Sequence, residues 1–169
     1  MKIFFTSDTF FGRKSTAIER GFKNDEEMLD SYIDTWNKRV GKNDVVYHLG
    51  NFGWDPISTE GAMIHLNGKI MFISGPFDSH LLEMSHVKIG RHQVLTNQIA
   101  ILPKERVILS RWPLLDWPGK NEEVIHVHGG EIPSETLNGY RFNVNASNWN
   151  GGPIDLEFLQ DIIQSQKEN

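Results

Sequence analysis

Polar and titratable side chains follow the ends of several apolar segments in this chain. Asp8 and Asp78 each come after a short β-favouring run, and His126 and His128 lie two residues apart within another. Successive residues of a strand alternate between its faces, so both imidazoles point to the same side. Carboxylates and imidazoles bind divalent cations in proteins. Metal binding is therefore the first chemistry that these residues suggest, with hydrogen-bonded core histidines as the alternative interpretation that we favour.

Basic side chains suggest a second chemistry. Arg13 and Lys14 lie in the first loop, and Arg111 follows a later apolar run. Guanidinium groups bind phosphate through paired hydrogen bonds, so Arg13 and Arg111 could hold a phosphate group without cleaving it. A solvated basic pair is the simpler interpretation of Arg13 and Lys14, and we prefer it.

The elements that would position these side chains alternate between strands and helices, and then become mostly strands. The predicted strands are residues 2–6, 44–49, 69–74, 92–102, 105–110, 123–128 and 137–144. The predicted helices are residues 24–40, 58–66 and 155–163, and residues 9–23 are predicted as a loop. The fourth and fifth strands should form a hairpin around Pro103. Asn24 with Glu27 has the form of a capping box, and Asp155 is expected to cap the last helix. This order of elements predicts stacked sheets flanked by helices.

Length and composition limit the class of protein. The 169 residues suit one domain, which we place at residues 1–163 with a polar C-terminal tail at 164–169. The net charge of −5 argues against nucleic acid as a partner, and the absence of cysteine excludes disulfides and thiolate metal sites. No apolar run is long enough for a signal peptide or a membrane span. We therefore expect a cytoplasmic protein without a membrane partner.

Five short segments carry a family resemblance. They are residues 4–12, 46–53, 75–78, 109–115 and 126–132. Their glycines and polar residues resemble, in order, the motifs of calcineurin-like metallophosphoesterases, above all those of the small single-domain bacterial and phage branch. Asn37-Lys38-Arg39-Val40 and Trp112-Pro113-Leu114-Leu115 add to the match, which spans almost the whole chain. The resemblance implies an α/β (α+β) fold with the family's four-layer αββα sandwich. It also implies hydrolysis of phosphate esters by two divalent metals, such as Mn, held roughly 3.5–4 Å apart.

The positions that would bind those metals depart from the family pattern. They hold Asp8, Phe10, Asn51, Pro76, Phe77, Arg111, Gly130 and Ile132. Among these residues only Asp8 is unchanged. The amide of Asn51 is neutral where the family has a bridging carboxylate, and phenylalanine offers no lone pair to a cation. Arg111 adds a fixed positive charge. We therefore predict no metal cofactor and no catalytic residues.

Asp8 admits two interpretations. It is either a remnant ligand for one metal or a buried carboxylate paired with Arg111, whose charge would replace that of the lost cation. Because a buried carboxylate needs such a partner, we favour the ion pair.

Three functions remain open at this level. The first is a catalytically inactive protein-binding or structural module, whose partner is another protein or a second copy, with a virion role if it is phage-encoded. The second is a noncatalytic binder of nucleotide or phosphate that uses Arg111 and Arg13. The third is a residual phosphodiesterase, with one metal at Asp8 or a site rebuilt from Asp78 and Glu131. Trp112 is expected to pack under loops, and Trp149 is expected to be exposed.

Overall fold

Two β-sheets organise the computed structural model, which describes residues 1–84, 90–95, 97–130 and 140–168. The first sheet has the order β4-β3-β2-β1-β9, and the second has the order β5-β6-β7-β8. The strands of the first sheet are β1 (Ile3–Thr6), β2 (Val45–His48), β3 (Lys69–Ile73), β4 (Gln93–Leu95) and β9 (Ile154–Asp155). Those of the second are β5 (Ile99–Leu102), β6 (Val107–Ser110), β7 (Ile125–His128) and β8 (Arg141–Asn143).

Parallel pairing brings the strand ends together. β1 to β4 run parallel to one another, and so do β6 to β8, while β9 and β5 are antiparallel edge strands. Parallel strands end at the same edge of their sheet. The turns after β1, β2 and β3 therefore meet at one edge, as do the turns after β6, β7 and β8.

Five helices accompany the sheets in the described residues. They are α1 (Lys14–Glu19), α2 (Asp25–Arg39), α3 (Pro56–His65), α4 (Ser79–Glu83) and α5 (Leu156–Lys167). Both predicted N-caps are confirmed, but the capping box is incomplete, because the Glu27 side chain accepts from the Lys23 N–H at 2.6 Å. Asn24 accepts a hydrogen bond from the Glu27 N–H at 2.8 Å, and Asp155 accepts one from the Phe158 N–H at 2.7 Å. Each satisfies an N–H group that the first helical turn leaves without a partner.

The first sheet lies between two apolar cores. On one face, the fully buried Trp36 and Met28 of α2 pack with Phe4 and Val46. On the other face, residues such as Phe5, Ile73, Leu109 and Val127 fill the space between the two sheets, and α5 adds Leu159 and Ile163. Burial of each such side chain contributes about 1.5–3 kcal/mol. The two sheets thus share one apolar core, in an α+β arrangement.

The outer face of the second sheet has a different cover. Trp117 packs its ring 5.1 Å from that of His126, and the Leu114 N–H donates to His126 Nε2 at 3.0 Å. The covering segment contains a single 3-10 turn, Lys120–Glu122. Among the described residues, helices therefore cover the outer face of the first sheet and not that of the second. The combination of helices and strands confirms the mixed α/β class.

Three predicted boundaries are wrong. Residues 92–102 are not one strand, because β4 joins the first sheet beside β3 and only β5 forms the hairpin with β6 around Pro103. The predicted loop 9–23 contains α1, whose Ala17 is fully buried in the first core. The predicted tail begins inside α5, which continues to Lys167, and that side chain pairs with Glu123 at 2.6 Å. The strand predicted at 137–144 is β8, and the residues before Tyr140 lie outside the described ranges.

No helix among the described residues combines the length and the apolar composition that crossing a membrane requires.

Candidate functional site

Asp8 lies where the turns of both sheets meet. Its fully buried carboxylate accepts five hydrogen bonds from four residues. Oδ2 accepts from Ser7 Oγ at 2.7 Å, from Arg111 Nη1 at 2.9 Å and from the Gly130 N–H at 2.9 Å. Oδ1 accepts from Arg111 Nη2 at 2.6 Å and from Asn51 Nδ2 at 2.9 Å. A carboxylate offers about four lone-pair positions, so these donors saturate it.

The charge of Asp8 is stabilised where it lies. Burial acts to raise the pKa of Asp8, but the hydrogen bonds and positive charge of Arg111, with Ser7 and Gly130, outweigh it and the pKa is lowered. A lowered carboxyl pKa means that this ion pair contributes stability above the unfolded-state pKa of about 3.9. That contribution is lost as the pH falls through the lower folded-state value. The predicted pairing of Asp8 with Arg111 is thus present.

Two glycines make room for the guanidinium. A Cβ on Gly50 would lie 2.6 Å from Arg111 Cδ, and one on Gly129 would lie 2.5 Å from Arg111 Nη1. Arg111 is 2% exposed, also donates to the Leu49 carbonyl at 3.2 Å, and lies 4.7 Å from the ring of Trp112. The turn glycines of the second and fifth segments therefore allow the close approach that seats Arg111.

The backbone around Asp8 is strained. Asp8, Phe10 and Asn51 have φ of 57°, 52° and 58°, in the left-handed region that bulky residues rarely adopt. Arg20 holds this turn, since its Nη2 donates to the Asp8 carbonyl at 2.6 Å and its Nη1 to the Thr9 carbonyl at 3.2 Å. Such conformations persist only where the surrounding structure imposes them, and they cluster at functional sites.

Asp78 organises the neighbouring turn. Its buried carboxylate accepts backbone N–H groups from Asn51 at 2.5 Å, from Gly75 at 2.7 Å and from Phe52 at 2.9 Å. Burial raises the pKa of Asp78 above its ordinary value, against the lowering effect of those three donors. The carboxylate therefore holds the Asn51 turn against the loop that follows β3.

Aromatic rings occupy the side of the site near Phe10. Phe10 is 1% exposed and lies 5.8 Å from Phe77, which in turn lies 5.3 Å from Trp54. The guanidinium carbon of Arg13 lies 5.0, 4.7 and 5.3 Å from the ring centres of Phe10, Trp54 and Phe77. Phenylalanine at positions 10 and 77 thus makes this region apolar and gives Arg13 a surface of rings to rest on.

His126 and His128 are buried and hydrogen-bonded, as predicted, and His48 is buried as well. His126 Nε2 accepts from the Leu114 N–H, so its Nδ1 is the donor to the Ile108 carbonyl at 3.2 Å. His128 Nδ1 lies 2.8 Å from the Gly129 carbonyl. Burial lowers the pKa of His126 to about 4 and that of His48 to about 3, so both rings are neutral at pH 7.

Acid should destabilise the fold through His48. The pKa of His48 is about 3 in the folded protein and about 6.5 when unfolded, so the stability from its neutral burial is complete above 6.5 and is lost as the pH falls. Between pH 7 and 5 this loss is about 2 kcal/mol. Urea unfolding at both pH values measures it. His48→Gln should reduce the pH dependence by that amount, and His65→Gln, the same substitution at an exposed position, is the matched control. Equal slopes in the two variants would contradict the assignment.

The structure brings most of the predicted site residues together. Asp8, Asn51, Arg111 and Gly130 are in direct contact through the Asp8 carboxylate. Phe10 and Phe77 contact each other beside it, and Pro76 lies in the same loop as Phe77 and Asp78. Ile132 and Glu131 lie outside the described residues.

One predicted role of Arg111 is wrong. Both of its Nη atoms are committed to Asp8, and the side chain is 2% exposed. Its charge is therefore neutralised inside the protein, and it is not available to phosphate. The expectations for two tryptophans are also wrong: Trp112 is 50% exposed, while Trp149 is half-buried and donates to the Asn143 carbonyl at 2.9 Å.

Sequence reasoning missed Ser7 and Arg20. Ser7 precedes Asp8, and a hydroxyl next to a buried carboxylate is a signal that could have been used. Arg20 has no such signal, because its contacts reach from α1 back to the Asp8 turn.

The side chains at this site do not provide the ligands that a pair of divalent metals would need. The Asp8 oxygens are saturated, Arg111 places a cation beside them, and Phe10 and Gly130 offer no side-chain ligand. In the part of the chain that the structure describes, no group of three His, Cys, Asp or Glu side chains has the geometry of a metal site. The arrangement is instead a buried ion pair without net charge, in which protein donors occupy both carboxylate oxygens of Asp8.

Comparisons with known proteins bear on the fold. No protein-family model matches the chain. An uncharacterized protein from Methanocaldococcus jannaschii is 37% identical over 82 residues, which are 46% of this chain and 47% of that protein. The chain thus matches about half the length of that relative. A crystal structure of a protein of unknown function from Aquifex aeolicus is similar with a TM-score of 0.69 and 19% identity, over 95% of this chain and 98% of that one. At this identity the likeness shows a shared fold.

Proposed function

We propose that this chain is a noncatalytic, metallophosphoesterase-like protein that serves as a protein-binding or structural module. The saturated Asp8 carboxylate is the observation that carries the proposal. A hydrolytic site of this family needs the carboxylate at that position for its metals, and here every lone pair is used by protein donors. A guanidinium supplies the positive charge instead.

The proposed family fold is the αββα sandwich, although among the described residues a loop with a 3-10 turn covers the second sheet where the fourth, helical layer would lie. Two facing sheets with α1 to α4 on the outer face of the first support it. The convergence of five motif-like turns on Asp8 supports the relationship further, because the same turns hold the metals in active members. A cytoplasmic location, or a virion location for a phage-encoded protein, belongs to the same proposal.

Partner binding is the role that the surface favours. Large apolar side chains near Phe10 and Asp8 are exposed, among them Trp54 and Phe77, whose exposed fractions are 44% and 41%. Tryptophan, phenylalanine and arginine are enriched at the centres of protein interfaces. The retained fold would then present a surface rather than a reaction centre.

The other two functions have less support. A phosphate site built from Arg111 and Arg13 is disfavoured, because both Nη atoms of Arg111 already donate to Asp8. A rebuilt metal site at Asp78 competes with three backbone N–H donors for the same oxygens. Asp8 has no free lone pair for a cation, and three of the about four lone pairs of Asp78 are already used.

We expect no Mn-dependent phosphodiester hydrolysis. Purified protein with millimolar Mn should cleave bis(p-nitrophenyl) phosphate at the rate of the Mn-containing buffer. The double variant Phe10→His with Asn51→Asp should remain inactive, because Pro76, Arg111 and Gly130 still provide no ligand. Turnover that rises with protein concentration, survives further purification and is abolished by Asp8→Asn would overturn the proposal.

A further inference from the structure

Arg13 is held in a fixed position by aromatic rings. Its guanidinium carbon lies within 4.7–5.3 Å of the ring centres of Phe10, Trp54 and Phe77. Its backbone is fixed too, since the Arg13 N–H donates to the Phe10 carbonyl at 3.0 Å and the residue precedes α1. A guanidinium that is already oriented loses little conformational entropy when it binds a ligand.

The donors of Arg13 have no acceptor in the described part of the chain. No carboxylate pairs with its side chain there, and no carbonyl accepts from it. The nearby acid Asp55 is committed to capping α3, where it accepts from the Ile57 and Ser58 N–H groups at 2.9 and 3.0 Å. Arg13 is partly exposed and Lys14 beside it is exposed, so two cationic side chains lie at this surface although the whole chain has a net charge of −5.

We propose that Arg13, Trp54 and Phe77, the aromatic–arginine patch, bind an acidic segment of a partner protein. The carboxylate of an Asp or Glu in that segment accepts paired hydrogen bonds from Arg13, and an apolar neighbour packs on Trp54 and Phe77. The proposal rests on the proposed noncatalytic function and names the class of partner.

A carboxylate fits this patch better than a nucleotide does. Trp54 and Phe77 contact each other at 5.3 Å, which leaves no gap for a base between them. The second arginine near Phe10, Arg20, is committed to the Asp8 and Thr9 carbonyls and to the Tyr32 hydroxyl. Among the described residues around the patch, the guanidinium of Arg13 is thus the available one, and it matches one carboxylate in charge and in hydrogen-bond geometry.

Selection from a random dodecapeptide phage library on the purified full chain tests this inference. We expect enriched peptides with Asp or Glu next to an aliphatic or aromatic residue. Synthetic copies should bind with a Kd that rises roughly tenfold or more in Arg13→Gln and in Trp54→Ala, as at interface hot spots. Lys42→Gln removes the same charge at an exposed position on another loop and should leave the Kd unchanged. Circular dichroism confirms that each variant is folded.

Several results would contradict the proposed binding of acidic segments by the aromatic–arginine patch. Enriched peptides without an acid, or acidic peptides that bind Arg13→Gln as tightly as the natural chain, would do so. A thermal stabilisation by inorganic phosphate or AMP that Arg13→Gln abolishes, with no enriched peptides, would assign an anion site instead. Sedimentation that shows a dimer dissociated by Trp54→Ala would assign the patch to a second copy. The turnover assay tests the proposed function separately. If the chain is inactive and binds no acidic peptide, only this inference is contradicted. If the chain shows Mn-dependent turnover, the proposed function is contradicted.

Discussion

Asp8→Asn should lower the free energy of unfolding by about 3–5 kcal/mol, because it leaves the buried guanidinium of Arg111 without a counter-charge. Arg111 is 2% exposed and both of its Nη atoms contact Asp8, so water cannot replace the carboxylate. Asparagine tolerates the left-handed φ of 57° at this position, so the substitution changes charge without adding backbone strain. Urea denaturation at pH 7 measures the loss.

Two further variants separate charge burial from the general effect of a substitution. Asp34→Asn breaks an exposed pair with Lys38 on α2 and should cost less than about 0.5 kcal/mol. In the double variant Asp8→Asn with Arg111→Met no buried charge remains, so part of the lost stability should return. A loss below about 1 kcal/mol in Asp8→Asn, or no recovery in the double variant, would contradict a tightly coupled pair.

Asp78→Ala should cost about 3 kcal/mol or more, because two buried backbone N–H groups and a partly buried third lose their acceptor together. Each unsatisfied buried donor costs about 1–3 kcal/mol. The N–H groups belong to Asn51, Phe52 and Gly75, which lie in two different turns, so the substitution should also loosen the contact between those turns. Urea denaturation gives the stability, and amide hydrogen exchange at the three positions shows where protection is lost.

Asp55→Ala is the matched control for that experiment. Asp55 also accepts backbone N–H groups, but it does so at the partly exposed start of α3, where water can replace it. Loss of such a cap costs about 1 kcal/mol. Equal destabilisation of the two variants, or unchanged exchange at Asn51 and Gly75, would show that Asp78 does not hold the turns.

The features of helices and strands that the sequence predicts correctly are those that depend on residues close together in the chain. The caps at Asn24 and Asp155 involve an N–H three residues away, so their geometry follows from the helix itself. Alternation in a strand likewise predicts that His126 and His128 lie on one face. That this face belongs to the core was implied by the family resemblance. Strand membership is not local. Residues 92–102 form one apolar stretch, yet β4 and β5 join different sheets, since the choice depends on neighbours distant in the chain.

For the candidate site, the sequence by itself determined which groups stand at the ends of the strands: a carboxylate at position 8, an amide at 51, a guanidinium at 111 and rings at 10 and 77. Those identities suffice to predict that the site lacks the ligands and the negative charge that two metal cations would need. Only the tertiary structure decided that Arg111 reaches both oxygens of Asp8 across 103 residues, that Arg20 holds the Asp8 turn, and that Arg13 rests on three rings. The physical reason is that chemical type belongs to a residue, whereas contact and burial depend on how distant segments of the chain pack together.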